Sequence, residues 1–297
     1  MSTTLPVPNP PSPVDPFERR EYQLNWGKHD FEQRLGFSGG RFTSVNKFLT
    51  FLGGLLLTAF FYAFITLLIK PLKEWQWLSD MFLERGPTQY ATVFLFFWAI
   101  SILFVKWRKL RLQRKALDLA AIPSQSDFLL NATTAPPVLE RIHTLVDSTS
   151  HFLLLNRIER TLSNLKNIGQ ISDVSNILQT QAEYDEEQVS SSYGIVSGFV
   201  WAIPVLGFIG TVLGLSKAIG QFSSTLKAGG DMDAIKVSLE GVTAGLATAF
   251  ETTLVALVCA LILQLLITFL QGKESEFLDD CNDYCHANVV SRLRLIR

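Results

Sequence analysis

The sequence predicts an all-α integral membrane protein, with four transmembrane helices and a cytoplasmic helical region between spans two and three. Three observations predict it. Four stretches are almost free of charge: Phe48 to Ile69, Pro87 to Val105, Gln188 to Ser216 and Gly241 to Gly272. Each approaches or exceeds the roughly 20 helical residues that cross a hydrocarbon core. A basic cluster, Lys106, Arg108, Lys109, Arg111, Arg114 and Lys115, follows directly on the second stretch. The segment between stretches two and three repeats apolar residues at helical spacing.

The elements follow in order. Residues 1–46 form a cytoplasmic N-terminal region. Its start carries Pro6, Pro8, Pro10, Pro11, Pro13 and Pro16 and lacks the apolar core of a signal peptide. It reads as a disordered tail. Residues 47–105 hold spans one and two, the second being the shortest of the four. Phe60, Phe61, Phe64, Phe94, Phe96, Phe97 and Trp98 make both apolar all round, the mark of lipid-facing helices. Trp75 and Trp77 in the connection suit the outer interface. The basic cluster after span two marks the cytoplasmic side. Both termini and the middle segment then lie in the cytoplasm, and the connections at 70–88 and 217–240 face outward.

Residues 106–190 read as the cytoplasmic helical region. Ala135-Pro136-Pro137 breaks the chain and starts a helix. Leu139, Ile142 and Val146, then Ile158, Leu162, Leu165 and Ile168, recur at helical spacing. Arg157, Glu159, Arg160, Lys166, Asp173, Glu183, Asp185, Glu186 and Glu187 between them read as a solvated face. Residues 273–297 alternate charged and apolar side chains and continue the fourth helix as a cytoplasmic C-terminal helix or tail.

Composition and motifs exclude several classes. The formal net charge of −1 gives no sign of nucleic-acid binding. Cys281, Cys285 and His286 lack a second cluster to complete a tetrahedral set, so no metal is expected. A reducing cytoplasm argues against a disulfide there. The histidines, His29, His143, His151 and His286, all lie outside the spans. No nucleophile and base are paired in a span, so no enzyme is expected. Four spans without repeated halves do not suit a secondary transporter.

Spans three and four differ in kind from the first two. Pro204, Gly207, Thr211, Gly214 and Ala218 share one helical stripe. Gly241, Gly245, Thr248, Thr252 and Cys259 form another. Small residues let membrane helices approach closely. Pro204 removes a backbone donor, a break tolerated where other helices or water satisfy the freed carbonyl. The threonines can return their hydroxyls to their own backbone. Glu251 costs on the order of 3 kcal/mol at mid-helix, and it lies about 60° around the helix from Thr248. Thr211, Thr248, Thr252 and Glu251 are therefore the candidate ion pathway. Pro204, Gly207, Gly210, Gly214 and Gly245 are the candidate helix break and close-packing set.

At these residues a resemblance becomes specific. Ile203-Pro204-Val205-Leu206-Gly207-Phe208-Ile209-Gly210-Thr211-Val212-Leu213-Gly214 resembles the P-x-L-G-x-x-G-T-V-x-G signature of ExbB and TolQ. Gly245-Leu246-Ala247-Thr248-Ala249 resembles the A-T-A segment of their last span. The four-span plan is similar to MotA. The resemblance to the MotA/TolQ/ExbB proton-channel family covers about residues 135–290 and is sharp in residues 191–272, the candidate channel domain.

The resemblance implies a ring-forming subunit of a bacterial inner-membrane channel. It implies a homopentamer around two copies of a single-span MotB/ExbD/TolR-like partner, whose membrane aspartate takes up and releases the coupling ion. That ion is a proton, or sodium, and no other cofactor is implied. Thr211 and Thr248 match the family threonines that face the partner's aspartate; Glu251 falls outside that pattern. The competing expectation is a membrane scaffold or signalling protein with packed helices and no ion conduction.

Overall fold

The computed structural model describes residues 24–37, 40, 42–119, 121–123, 128–165, 170–227 and 232–294. The proline-rich start of the N-terminal region, with Pro6 to Pro16, and Lys166 and Ile168 lie outside the described residues. Among the described residues there are helices and turns but no strands beyond two isolated bridges. The helices are α1 (Trp26–His29), α2 (Phe31–Arg34), α3 (Lys47–Phe64), α4 (Gln76–Leu83), α5 (Pro87–Leu117), α6 (Ala135–Leu145), α7 (Leu153–Ser163), α8 (Ile171–Ser191), α9 (Gly194–Lys227) and α10 (Met232–Cys285). Four helical stretches are long and apolar enough to cross a membrane: Lys47–Ile69, Pro87–Leu117, Ile171–Lys227 and Met232–Val290. The chain is an all-helical, multi-pass membrane protein.

The helices run past the ends expected of the spans. α5 continues through the basic cluster, because Lys and Arg are good helix formers. The connection expected at 217–240 is mostly helix: α9 reaches Lys227 and α10 begins at Met232. α10 alone has 54 residues, a contour of about 80 Å, well beyond the membrane core.

The chain divides into two compact units. The first comprises the described residues of 1–29, 112–183 and 279–297. α6 starts at Ala135 with prolines at its first positions, where a missing N–H costs nothing. It buries Val138, Ile142 and Leu145, and α7 buries Leu153, Leu154, Ile158 and Leu162. Trp26 is fully buried, with its ring 5.4 Å from His151 and edge-on to Phe152 at 5.2 Å. Its backbone N–H and that of Gly27 donate to the Asp147 carboxylate at 2.8 and 3.1 Å. Arg157 departs from the solvated face expected of it. It is buried and donates to the Asn282 side chain.

The second unit comprises residues 30–111 and 184–278. Span one is covered least: Leu56, Phe60 and Leu67 are among its exposed side chains, as lipid-facing residues should be. Span two departs from the lipid-facing expectation, since it buries Val93, Ala99, Ile102 and Leu103. The basic cluster is also only partly solvated. Lys106 is buried, donates to Ser192 Oγ at 2.8 Å and lies 3.4 Å from the Glu274 carboxylate. Tyr193 donates its hydroxyl to the same carboxylate at 2.5 Å. Lys109 is buried, 2.5 Å from Glu32 and 3.8 Å from Asp30. Glu32 also accepts from the Asn46 backbone at 2.7 Å, and Asn46 caps α3 by accepting from Phe48 N–H at 3.0 Å. This chain of bonds fastens the segment before span one to the end of span two.

Candidate functional site

The site lies in the second unit, where α9 and α10 pack. A methyl group added at Gly207 would lie 2.5 Å from Ala256 Cβ and 3.3 Å from the Thr252 carbonyl. At Gly245 it would clash with Ala218 Cβ and come within 3.1 Å of the Gly214 carbonyl. Gly210 faces the hydroxyls of Thr252 and Thr88 in the same way, and Gly214 faces the Gly245 carbonyl. Four small residues expected to pack closely therefore sit where the helices approach. Pro204 lies inside α9, which remains helical through it.

The hydroxyls fill the seam. Thr211 Oγ1 donates to one of two carbonyls, Gly207 at 3.2 Å on its own helix or Ala249 at 3.0 Å across the seam. It also pairs with the Thr253 hydroxyl. Thr253 reaches the Gly207 and Ala249 carbonyls at 3.2 Å each. Two hydroxyls thus share two carbonyls between facing helices. Thr252 is 2% exposed and returns its hydroxyl to the Ala249 carbonyl at 3.1 Å. Its position against Gly210 makes it a packing contact of the seam.

Thr248 and Glu251 meet a cation from another element. Arg85 Nε donates to Glu251 Oε2 at 2.7 Å, and its Nη1 donates to Thr248 Oγ1 at 3.1 Å. Arg85 and Glu251 are 21% and 29% exposed, so the pair is half-covered within one chain. A tight turn between α4 and α5 presents Arg85. Gly86 has φ +91°, a conformation open to glycine and strained for other residues. Pro87 then opens α5. Tyr90 clips the turn by donating its hydroxyl to the Leu83 carbonyl at 2.9 Å.

A cavity of about 390 Å³ adjoins the turn. Glu84, Arg85, Thr88, Lys217, Gln221 and Thr248 supply its polar lining, and Gly210, Gly214, Gly241 and Gly245 part of its floor. Glu251 does not line it; its carboxylate is engaged by the guanidinium that does.

Arg85 and Thr253 are additions to the residues singled out from sequence. Thr253 carried a weak signal, since it neighbours Thr252 and is five residues from Thr248. Arg85 carried a stronger one: an intramembrane carboxylate calls for a cation, and Arg85 stands two residues before span two. Among the described residues no group of His, Cys, Asp and Glu side chains could hold a metal ion.

No curated protein and no solved structure matches the chain. Residues 150–282 match the model of the MotA/TolQ/ExbB proton channel family. That stretch contains α7 to α9 and nearly all of α10, with both sides of the threonine seam and Glu251. The polar seam between two close-packed apolar helices lies inside that match, in the part of the chain that is similar to the MotA/TolQ/ExbB proton channel family.

Proposed function

We propose that this chain is the ring-forming subunit of an ion channel that turns ion-motive force into mechanical work. The observation that carries the reading is the polar line along α9 and α10. Thr211, Thr253, Thr248 and Glu251 put hydroxyls and a carboxylate into helices otherwise built of apolar and small residues. A carboxylate is costly at membrane depth, and hydroxyls there pass or hold water without adding charge. The coupling ion is a proton.

The ring is a homopentamer in the bacterial inner membrane, with both termini in the cytoplasm. It encloses two copies of a single-span MotB/ExbD/TolR-like partner, whose membrane aspartate exchanges the proton. The exposed apolar faces of α9 and α10 support assembly within a bilayer. They carry Trp201, Phe208 and Val212 on one helix and Phe250, Leu254 and Leu257 on the other, all at least half exposed in the single chain. Lipid and neighbouring copies supply such faces with apolar cover.

The close packing at Gly207 and Gly245 also suits a scaffold that conducts nothing. Proteoliposomes loaded with a pH-sensitive dye separate the two. With the partner present, wild-type protein carries protons, and the Thr211→Val, Thr248→Val double variant assembles but carries far fewer. Wild-type flux in the assembled double variant would refute the path.

A further inference from the structure

We propose that Arg85 is a tethered cation that occupies the Glu251 site and excludes sodium from it. The proposal rests on the channel reading and says which ion the channel accepts.

The argument starts from the donor set. Arg85 spends Nε on the carboxylate and Nη1 on the Thr248 hydroxyl. One guanidinium therefore engages both groups to which a bare monovalent cation would bind: a carboxylate and a hydroxyl oxygen. Arginine has five donors in a fixed fork and keeps its charge in proteins. The turn holds it ready, with Gly86 at positive φ, Pro87 starting α5 and the Tyr90 hydroxyl on the Leu83 carbonyl.

The cavity's charged lining is Glu84, Arg85 and Lys217, one negative and two positive. With Glu251 counted beside the Arg85 it pairs, these charges cancel, and a hydrated sodium ion entering the cavity meets a carboxylate already engaged at 2.7 Å. It would have to displace a charge that cannot leave, because the chain holds it.

A proton meets the same guanidinium, but it competes by forming an O–H bond rather than by sitting beside the carboxylate. It binds the carboxylate covalently, leaves Glu251 neutral, and removes the attraction that holds the guanidinium. Arg85 keeps its own proton throughout. When the proton moves on to water or to the partner's aspartate, the carboxylate is charged again and the guanidinium returns. No charge is created or lost in the cycle. The site thus admits an ion that bonds to the carboxylate and rejects one that only sits beside it.

The test is labelling of Glu251 by dicyclohexylcarbodiimide in proteoliposomes, read by mass spectrometry, with Glu251→Gln as the blank. In wild-type protein, sodium chloride leaves the labelling rate unchanged against choline chloride. In Arg85→Ala the site is vacant, labelling runs about tenfold faster, the ratio expected for one charge-assisted hydrogen bond, and sodium chloride slows it. Guanidinium chloride at low millimolar concentration slows it too, standing in for the missing side chain. Arg85→Lys, which keeps a charge but has no fork, falls between the two. Sodium protection in the wild type, or an Arg85→Ala rate equal to wild type and indifferent to both salts, overturns the proposal. Proton flux plays no part in this readout. A channel reading that fails in the threonine double variant leaves the labelling result standing, and the reverse also holds.

Discussion

Thr211 differs from valine by one hydroxyl, and that hydroxyl has two carbonyls and a second hydroxyl within reach. Thr211→Val leaves Thr253 with the same two carbonyls as acceptors. The expected cost to stability is small, about 0.5–1.5 kcal/mol for one hydrogen bond, and a thermal melt in detergent measures it. A melt far below wild type would mean that the hydroxyl pair holds the helices together rather than serving an ion. Gly207 behaves differently. Gly207→Ala drives a methyl group into Ala256 and should cost about 1–3 kcal/mol by overpacking. Gly272→Ala, with open space around it, should leave the melt unchanged or slightly raised. Equal melts for the two alanine variants would show that α9 and α10 do not meet at Gly207. These residues were legible in the sequence because each is expensive or unusual where it stands. A carboxylate and three threonines in apolar helices demand a reason, and glycines at stripe spacing supply a packing one. Arg85 was legible only as a cation beside a span end, not as the partner of Glu251. Its significance depends on a partner 166 residues away, and linear spacing cannot report that separation.

The turn between α4 and α5 is an element with one task, to fix where Arg85 points. Gly86→Ala meets no neighbouring atom, so its cost comes from backbone strain alone, about 1–2 kcal/mol. Carbodiimide labelling of Glu251 should rise in this variant toward the Arg85→Ala rate. A rate equal to wild type would show that the turn tolerates a side chain and does not set the pair. The end of span two is the other element that sequence reasoning described incompletely. Proximity to a span made the whole basic cluster read as a marker of the cytoplasmic side. Burial of Lys106 and Lys109 is decided instead by Glu274 and Glu32, 168 and 77 residues away. Lys109→Met removes the cation from a buried cluster and leaves Glu32 and Asp30 uncompensated, which costs about 3–5 kcal/mol. A Lys109→Met, Glu32→Met, Asp30→Asn triple variant, which removes both buried carboxylates beside Lys109, should recover much of that loss in the same melt. Failure to recover would place the penalty in packing rather than charge.

At the scale of the molecule, native mass spectrometry from mild detergent should show five copies, with two of the partner when both are expressed. A stable single chain in several detergents counts against the ring. The sidedness is checked by cysteine substitution at an exposed position of the middle segment. His143→Cys should resist an impermeant reagent in intact cells and react once they are opened; labelling in intact cells overturns the cytoplasmic assignment. The all-helical plan and the four spans were legible because bilayer thickness leaves a long apolar run few alternatives. The division into two units was not, since α5, α8 and α10 each contribute to both. The buried pairs of α5 bear on sidedness in another way. Glu32 precedes span one, Lys109 follows span two, and they lie 2.5 Å apart. Lys106 follows span two, Glu274 follows span four, and they lie 3.4 Å apart. Groups in contact must share one face of the membrane, so each pair encloses an even number of crossings. The parity holds whichever face it is. A chain in which span two failed to cross would carry Lys109 away from Glu32, and one in which span four failed to cross would carry Glu274 away from Lys106. Two ion pairs thereby act as a check on insertion: neither can close until the spans between its partners have threaded the bilayer an even number of times.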